Sequence, residues 1–382
     1  MSLMVYLNRV RFARGALAML PEELALAGIT RPLIVTDGGV IAAGLFERLR
    51  AVLPDAMAYA VFDAVPPNPT EAAVRAATDA FLAHGADGVI GLGGGSPLDL
   101  AKAVALLATH GGGPLAPFAI IEGGLERITG RCAPVVAVPT TSGTGSEVSR
   151  GALIVLEDGR KLSIGSPHLI PRAAVCDPDL TLGLPPLLTA GTGMDALAHC
   201  IETLCSPRVN PIADAIARDG LSRGWAALPR AVADGTDIAA REAMMLASME
   251  GALAFQKGLG AVHALSHPLG GLPGALHHGT LNAVLLPHVL RFNAPAIVAV
   301  LPALAHAMGL GSADADSIAA AVAAMSHVIG LPAALNTMGV AADALPAIAA
   351  AAMRDHHHLT NPRRATEAEY LALLRTAHGA PA

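Results

Sequence analysis

Asp195 and His199 stand four residues apart in Gly193-Met194-Asp195-Ala196-Leu197-Ala198-His199. On a helix that spacing places both on one face. A carboxylate and an imidazole on an otherwise apolar helix are costly to bury unpaired. A hydrogen bond between them would satisfy both, and so would a divalent cation. The histidines farther along favour the cation. His263 and His267 repeat the spacing in GAVHALSHPLGG, and His277 and His278 follow in GALHHGTLN. One carboxylate with three imidazoles is a suitable donor set for Fe2+ or Zn2+.

A second kind of chemistry is written around residues 93 and 139. Gly93-Gly94-Gly95-Ser96 lies between a strand pattern and a helix pattern. Glycine lets the backbone approach a ligand closely, and a helix start offers free N–H groups to a phosphate. Ser96 is expected to cap that helix, with Pro97 in its first position and Asp99 at the third. The plain alternative is a tight turn into a capped helix, because the dinucleotide fingerprint G-x-G-x-x-G is not complete. Pro139-Thr140-Thr141-Ser142-Gly143-Thr144-Gly145-Ser146 also follows a strand pattern and is dense in hydroxyls. Two such loops at strand ends suit a nucleotide crevice. Asp37 closes an earlier strand pattern. Its carboxylate either accepts from ribose hydroxyls, which favours NAD over NADP, or stabilises its own turn.

These loops need a scaffold, and the first half supplies one. Short apolar runs at 31–37, 58–62, 87–92 and 133–138 alternate with helical stretches at 71–84 and 97–109. That alternation predicts a parallel sheet covered on both faces. Glu157-Asp158-Gly159 reads as the turn of a hairpin over 151–164. After Pro185-Pro186 the strand signals nearly vanish and Ala/Leu-rich helical stretches take over. The expected domains are therefore 1–186, α/β, and 187–382, all helical.

Composition narrows the class. The chain has 382 residues, 53% hydrophobic and 15% charged, with a formal net charge of −6. Disorder is excluded, and a nucleic-acid binder would show a basic stripe. The Ala-rich tracts are interrupted by Ser317, Ser326, His327 and Pro332, and leave no clean membrane span. Asn8, Arg9 and Arg11 come too early for the apolar core of a signal peptide, so a cytoplasmic protein is expected. Cys132, Cys176, Cys200 and Cys205 form no CxxC pair and read as buried thiols.

Taken together, GGGSPLDLAK (93–102), PTTSGTGSEV (139–148), DPDLTLGLPP (177–186), TGMDALAHCIE (192–202), HALSHPLGG (263–271), HHGTLNAVLLPHV (277–289) and TNPR (360–363) resemble the iron-containing (group III) alcohol dehydrogenases. The resemblance runs from about Asp37 to Arg363. It implies a Rossmann-like nucleotide domain, an all-α metal domain, a dehydroquinate synthase-like architecture and a metal in the cleft between the domains. By residue-wise matching it implies Asp195, His199 and His263 as metal ligands, with the histidine of a His-Gly pair as the fourth. That is His278, because Gly-Thr-Leu-Asn-Ala follows it directly. The stretch from His267 is one residue longer than in typical members, so His277 stands at the usual count. The extra residue is expected in the 271–276 loop, which carries Pro273 and Gly274. His267 matches a histidine near the nicotinamide and is the candidate proton relay. Asp37, Asn68, Gly94, Gly95, Ser96, Asp99, Thr140, Thr141 and Lys161 fall at cofactor positions. His357 matches a substrate-facing position, against the alternative of a solvated surface histidine.

The implied activity is hydride transfer between NAD(H) and a small alcohol or aldehyde at Fe2+ or Zn2+, in a homodimer. A hydroxy-acid dehydrogenase or maleylacetate-type reductase is the alternative, because Ser149, Arg150 and Gly151 are expected near the pocket and Arg150 could attract a carboxylate. A metal-dependent lyase or a non-catalytic binding protein on the same fold would not form net NADH from simple alcohols.

Overall fold

The computed structural model describes residues 4, 6, 8–272, 274 and 276–379. Pro273 and Ala275, in the loop ahead of His277, lie outside the described residues. The chain divides into two compact units, one of Tyr6–Thr141 with Gly145–Gly183, the other built on Leu184–Ala382 with Ser142–Thr144.

The first unit holds a six-stranded, all-parallel sheet. Its strands are β1 (Arg9–Phe12), β2 (Pro32–Val35), β3 (Ala60–Phe62), β4 (Gly88–Gly93), β5 (Val135–Pro139) and β8 (Ala173–Cys176). A separate hairpin pairs β6 (Gly151–Val155) with β7 (Lys161–Gly165), antiparallel across the expected turn. The sheet order is β1-β8-β5-β4-β2-β3. Four of its strands coincide with the apolar runs. β1 and β8 do not announce themselves. β1 reads RVRF, and both arginines are spent on the buried Glu23, Arg9 Nε at 2.8 Å and Arg11 Nε at 2.6 Å. An edge strand that carries charge has a weak apolar signature.

Side-chain alternation builds two cores from one sheet. Leu33, Val35, Val89 and Val135 pack on one face, and Ile34, Ile90, Leu92, Val136 and Val138 on the other. The helices of this unit are α1 (Leu20–Ala27), α2 (Gly38–Ala42), α3 (Leu45–Arg50), α4 (Glu71–His84) and α5 (Gly95–Leu107). α4 starts and stops by local chemistry: Thr70 accepts from Ala73 N–H, and Gly85 takes φ 66° beyond the end.

The second unit is helical: α6 (Pro186–Cys205), α7 (Pro211–Ala233), α8 (Ile238–Ala254), α9 (Ala261–Gly270), α10 (His278–Asn293), α11 (Leu301–Ala307), α12 (Ala315–Val328), α13 (Leu345–Ala352) and α14 (Glu367–His378). α6 is buried from Thr189 to Cys205 and packs on α7, α8 and α10. Gly279 permits the last of these contacts. A Cβ there would lie 2.0 Å from the Gly191 carbonyl oxygen and 3.0 Å from Asp195 Cβ. No helix among the described residues is long and apolar enough to cross a membrane. The four cysteines are buried and unbridged.

Candidate metal centre and nucleotide crevice

In the helical unit, α6 carries Asp195 and His199, α9 carries His263 and His267, and α10 begins at His278. Three imidazole nitrogens meet one oxygen. Nε2 of His199, His263 and His278 lie 3.7, 3.6 and 3.7 Å from Asp195 Oδ1. These separations are too long for hydrogen bonds. They suit ligands around an ion, because four donors each about 2.1 Å from one centre stand roughly 3.4 Å apart. Asp195, His263 and His278 each offer an atom within 4.8 Å of the others. His199 stacks on His263 with ring centroids 4.8 Å apart. The donor set thus fits a divalent cation, and the simple Asp195–His199 hydrogen bond is not formed.

Asp195, held charged, and His199, held neutral, suit that fit, while His263 would give up a proton on binding a cation. Burial works against the Asp195 carboxylate, but the surrounding imidazoles hold its pKa well below the usual range. Burial also opposes the charged form of His263, yet Asp195 and Glu202 outweigh it and lift its pKa to about 9. For His199 burial wins, and its pKa falls to about 4.

His277 faces elsewhere. It is the N-cap of α10, with its Nδ1 3.0 Å from Thr280 Oγ1 and accepting from Thr280 N–H at 3.3 Å. His267 is buried, and its Nδ1 lies 2.8 Å from Asp355 Oδ2. Burial would raise the Asp355 carboxyl, but His267 keeps it at about 2. The His357 ring is 5.4 Å from that of His267 and 5.8 Å from that of His263, so it joins the cluster rather than the open surface. Burial and its imidazole neighbours push its pKa well down.

Three residues of this cluster escape motif reading. Glu202 receives His263 Nδ1 at 2.5 Å. Asn282 Nδ2 donates to Asp195 Oδ1 at 2.7 Å and lies 3.2 Å from Nε2 of both His263 and His278, while its own Oδ1 is buried without a partner among the described residues. Asp355 orients His267. Their spacing was a usable signal: Glu202 is three residues past His199, and Asn282 four past His278, each on the same helix face.

In the sheet unit, β2 leads to β3 on one side while β4 leads to β5 on the other, so the direction reverses between β2 and β4. Ligands of open α/β sheets bind at such a reversal. Asp37 follows β2, and Gly94, Gly95 and Ser96 follow β4. A Cβ on Gly94 would meet Thr141 Oγ1 at 3.2 Å, and Thr140 N–H donates to Gly93 O at 3.0 Å, so the two loops are knit together. Asp37 Oδ1 accepts from Val40 N–H at 2.9 Å, so one of its oxygens caps α2. Lys161 Nζ donates to Asn68 Oδ1 at 2.6 Å.

Three expectations at this helix start need correction. Ser96 does not cap α5. The N-cap is Gly94, without a side-chain bond, and the helix begins at Gly95, so Pro97 falls in the third position. Its missing N–H is still harmless there, because the first turn has no internal partner for it. Asp99 therefore sits deeper and has both oxygens engaged by protein donors, Oδ1 by Ser146 Oγ at 2.5 Å and Oδ2 by Leu153 N–H at 2.9 Å. Burial raises its pKa against the pull of Lys102. Lys102, fully buried and lowered to about 8 by burial, donates to Ser146 Oγ, Ser149 O and Oγ, and Gly151 O at 2.7–3.2 Å. Arg150, between those two anchors, is exposed.

Comparison with known proteins places the chain in a family. The family described as iron-containing alcohol dehydrogenase matches residues 8–178, and the C-terminal Fe-containing alcohol dehydrogenase family matches 189–378. The chain is 54% identical over 382 residues to a 4-hydroxybutyrate dehydrogenase of Cupriavidus necator, covering 98% of this chain and 99% of that protein. A crystal structure of 1,3-propanediol oxidoreductase superposes with a TM-score of 0.92 at 37% identity, covering 98% and 100% of the two chains. Sulfoacetaldehyde reductase from Bifidobacterium kashiwanohense, in complex with NAD+, gives 0.87 at 28% identity over 100% of both chains. The chain is an oxidoreductase of the iron-containing alcohol dehydrogenase family.

Proposed function

We propose that this protein interconverts a short primary alcohol bearing a terminal carboxylate, of the 4-hydroxybutyrate class, and the matching aldehyde, with NAD(H) and iron. The convergence of three imidazole nitrogens on Asp195 Oδ1 carries the reading. Full-length similarity to a 4-hydroxybutyrate dehydrogenase supports the substrate class, and the relative in complex with NAD+ supports the cofactor.

Asp195, His199, His263 and His278 would hold the metal. When bound, the ion supplies Lewis acidity toward a substrate oxygen and the nicotinamide exchanges the hydride. His267 is the proton carrier: with Nδ1 held by Asp355, its Nε2 is left to exchange the alcohol proton. His357 lines the substrate side of the imidazole cluster. The N–H groups of Gly95 and Ser96, with Gly94, Thr140 and Thr141, receive the pyrophosphate. Asp37 keeps one oxygen for ribose. Asn68 and Lys161 act as a pair on the cofactor. Asp99 supports the same loops by holding Ser146 and Leu153. Arg150, carried between anchored Ser149 and Gly151, is the candidate for the carboxylate.

Residues 1–186 are read as the nucleotide domain and 187–382 as the metal domain of a cytoplasmic homodimer; light scattering on the purified protein tests the dimer. Initial rates with 4-hydroxybutyrate, 1-butanol and 1,3-propanediol test the activity, using Fe2+-loaded enzyme with NAD+. The kcat/KM should be highest with 4-hydroxybutyrate, and chelation should abolish NADH formation. Absence of net NADH from all three alcohols, or full turnover by protein shown metal-free, would overturn the reading.

A further inference from the structure

Glu202 lies one helical turn beyond His199 on α6, buried at 4% exposure. Asp195, His199 and Glu202 share a face, at i, i+4 and i+7. The Glu202 carboxylate serves two donors on α9. Oε1 accepts from Val262 N–H at 2.8 Å, and Oε2 lies 2.5 Å from His263 Nδ1. The first contact is a helix cap supplied from outside the helix, since Gly260 has no side chain to give. Asn361 Oδ1 takes the neighbouring Ala261 N–H at 3.0 Å. The second contact decides which ring nitrogen carries the proton. With Nδ1–H donated to Glu202, the neutral ring that a cation requires has its lone pair on Nε2, the atom 3.6 Å from Asp195 Oδ1.

We infer that Glu202 is the positioning residue of the metal centre: its carboxylate holds His263 in the Nδ1–H tautomer and fixes the register of α9, so that Nε2 faces the ion. This rests on the metal-binding reading above. A carboxylate is required because both of its contacts are to donors. Glutamine has one acceptor and one donor. If its oxygen stays on Val262 N–H, its NH2 faces His263 Nδ1, which must then accept, and the ring proton moves to Nε2. If it turns over, the NH2 opposes Val262 N–H instead. Either way one of the two functions fails. A ligand histidine is commonly oriented by a carboxylate, and losing that partner costs 10–100-fold in metal affinity.

The test uses the full-length protein and Co2+ alone, without substrate or cofactor. Competition against a chelator gives the dissociation constant, and the visible spectrum of bound Co2+ reports the ligand field. Glu202→Gln is expected to weaken binding 10–100-fold and alter the spectrum. If Glu202 is a helix cap only, the variant will melt lower when metal-free but bind Co2+ like wild type with an unchanged spectrum, and the inference fails. A measurement on wild type covers the case of a variant that does not fold. With 15N-labelled histidine and Zn2+ bound, His263 Nδ1 should carry the proton, and a bare Nδ1 overturns the assignment. Wild type that binds neither ion would defeat the metal reading itself, a result separable from wild-type binding that Glu202→Gln leaves untouched.

Discussion

Lys161 Nζ reaches Asn68 Oδ1 at 2.6 Å across 93 positions of sequence, and Asn68 is the one non-glycine residue among those described with a positive φ, 59°. Left-handed backbone costs an ordinary residue about 1–2 kcal/mol, and asparagine tolerates it best. The hairpin holds this geometry in place, because Val155 N–H donates to Pro69 O at 2.9 Å. Asn68→Gly should retain stability while losing the acceptor for Lys161. Asn68→Ala should lose the acceptor and about 1 kcal/mol besides. Urea melts separate the two. Both variants should raise KM for the cofactor, and an Asn68→Ala variant as stable as Asn68→Gly would contradict the strain argument.

His277 and His278 are adjacent in sequence and divided in role. His278→Ala should lose bound metal and activity together. His277→Ala removes the N-cap of α10 and should lower stability by about 1 kcal/mol while retaining metal. Elemental analysis of both purified variants decides the matter: depletion in the His277 variant with retention in the His278 variant reverses the assignment.

Asp37 sets cofactor preference in the proposed reading. Wild type should use NAD(H) in preference to NADP(H), and Asp37→Gly should narrow that preference. The loss of its cap on α2 costs only a few tenths of a kcal/mol, since glycine is itself tolerated at an N-cap. The ratio of kcat/KM for the two cofactors is the measurement. Higher efficiency of wild type with NADPH would sink the role given to Asp37.

Glu147 supplies a pH dependence. Burial pushes its pKa up to about 7, with Lys102 opposing. Between pH 4.5 and 7 the folded state therefore holds a proton that the unfolded chain has released. Stability from this group must fall as pH rises through that window, by up to roughly 3 kcal/mol. Glu147→Gln has no proton to lose, so its stability relative to wild type should grow from pH 5 to pH 7.5. Denaturant melts at the two pH values show this, and a pH-independent difference would rule it out.

Much of the fold can be read from local pattern, because the signals involved repeat over a few residues. Thr70 and Gly85 mark the ends of α4, Pro185-Pro186 marks the start of the helical half, and Glu157-Asp158-Gly159 marks the hairpin turn. β1 and β8 carry too little apolar contrast for such reading, since one is a charged edge strand, RVRF, and the other, AAVC, is built largely of small residues. The exact start of α5 was also hidden, because Gly95 and Ser96 accept helical backbone as readily as a turn.

The sequence by itself determined that Asp195 and His199 share a helix face, that His263 and His267 do the same, and that glycine and hydroxyl loops each close a strand. Those are consequences of periods of 3.6 and 2, which need no partner. The motif tail pointed to His278 over His277, but only the tertiary structure brought its Nε2 to 3.7 Å from Asp195 Oδ1, set Glu202 on His263, and held His267 with Asp355 across 88 positions. Only it showed that Asp99 serves Ser146 and Leu153. The physical reason is that a polar side chain aims where its helix is packed. The approach of α10 to α6 at Gly279, and of α9 to Glu202, is set by close contacts between segments distant in sequence, and no local repeat encodes them.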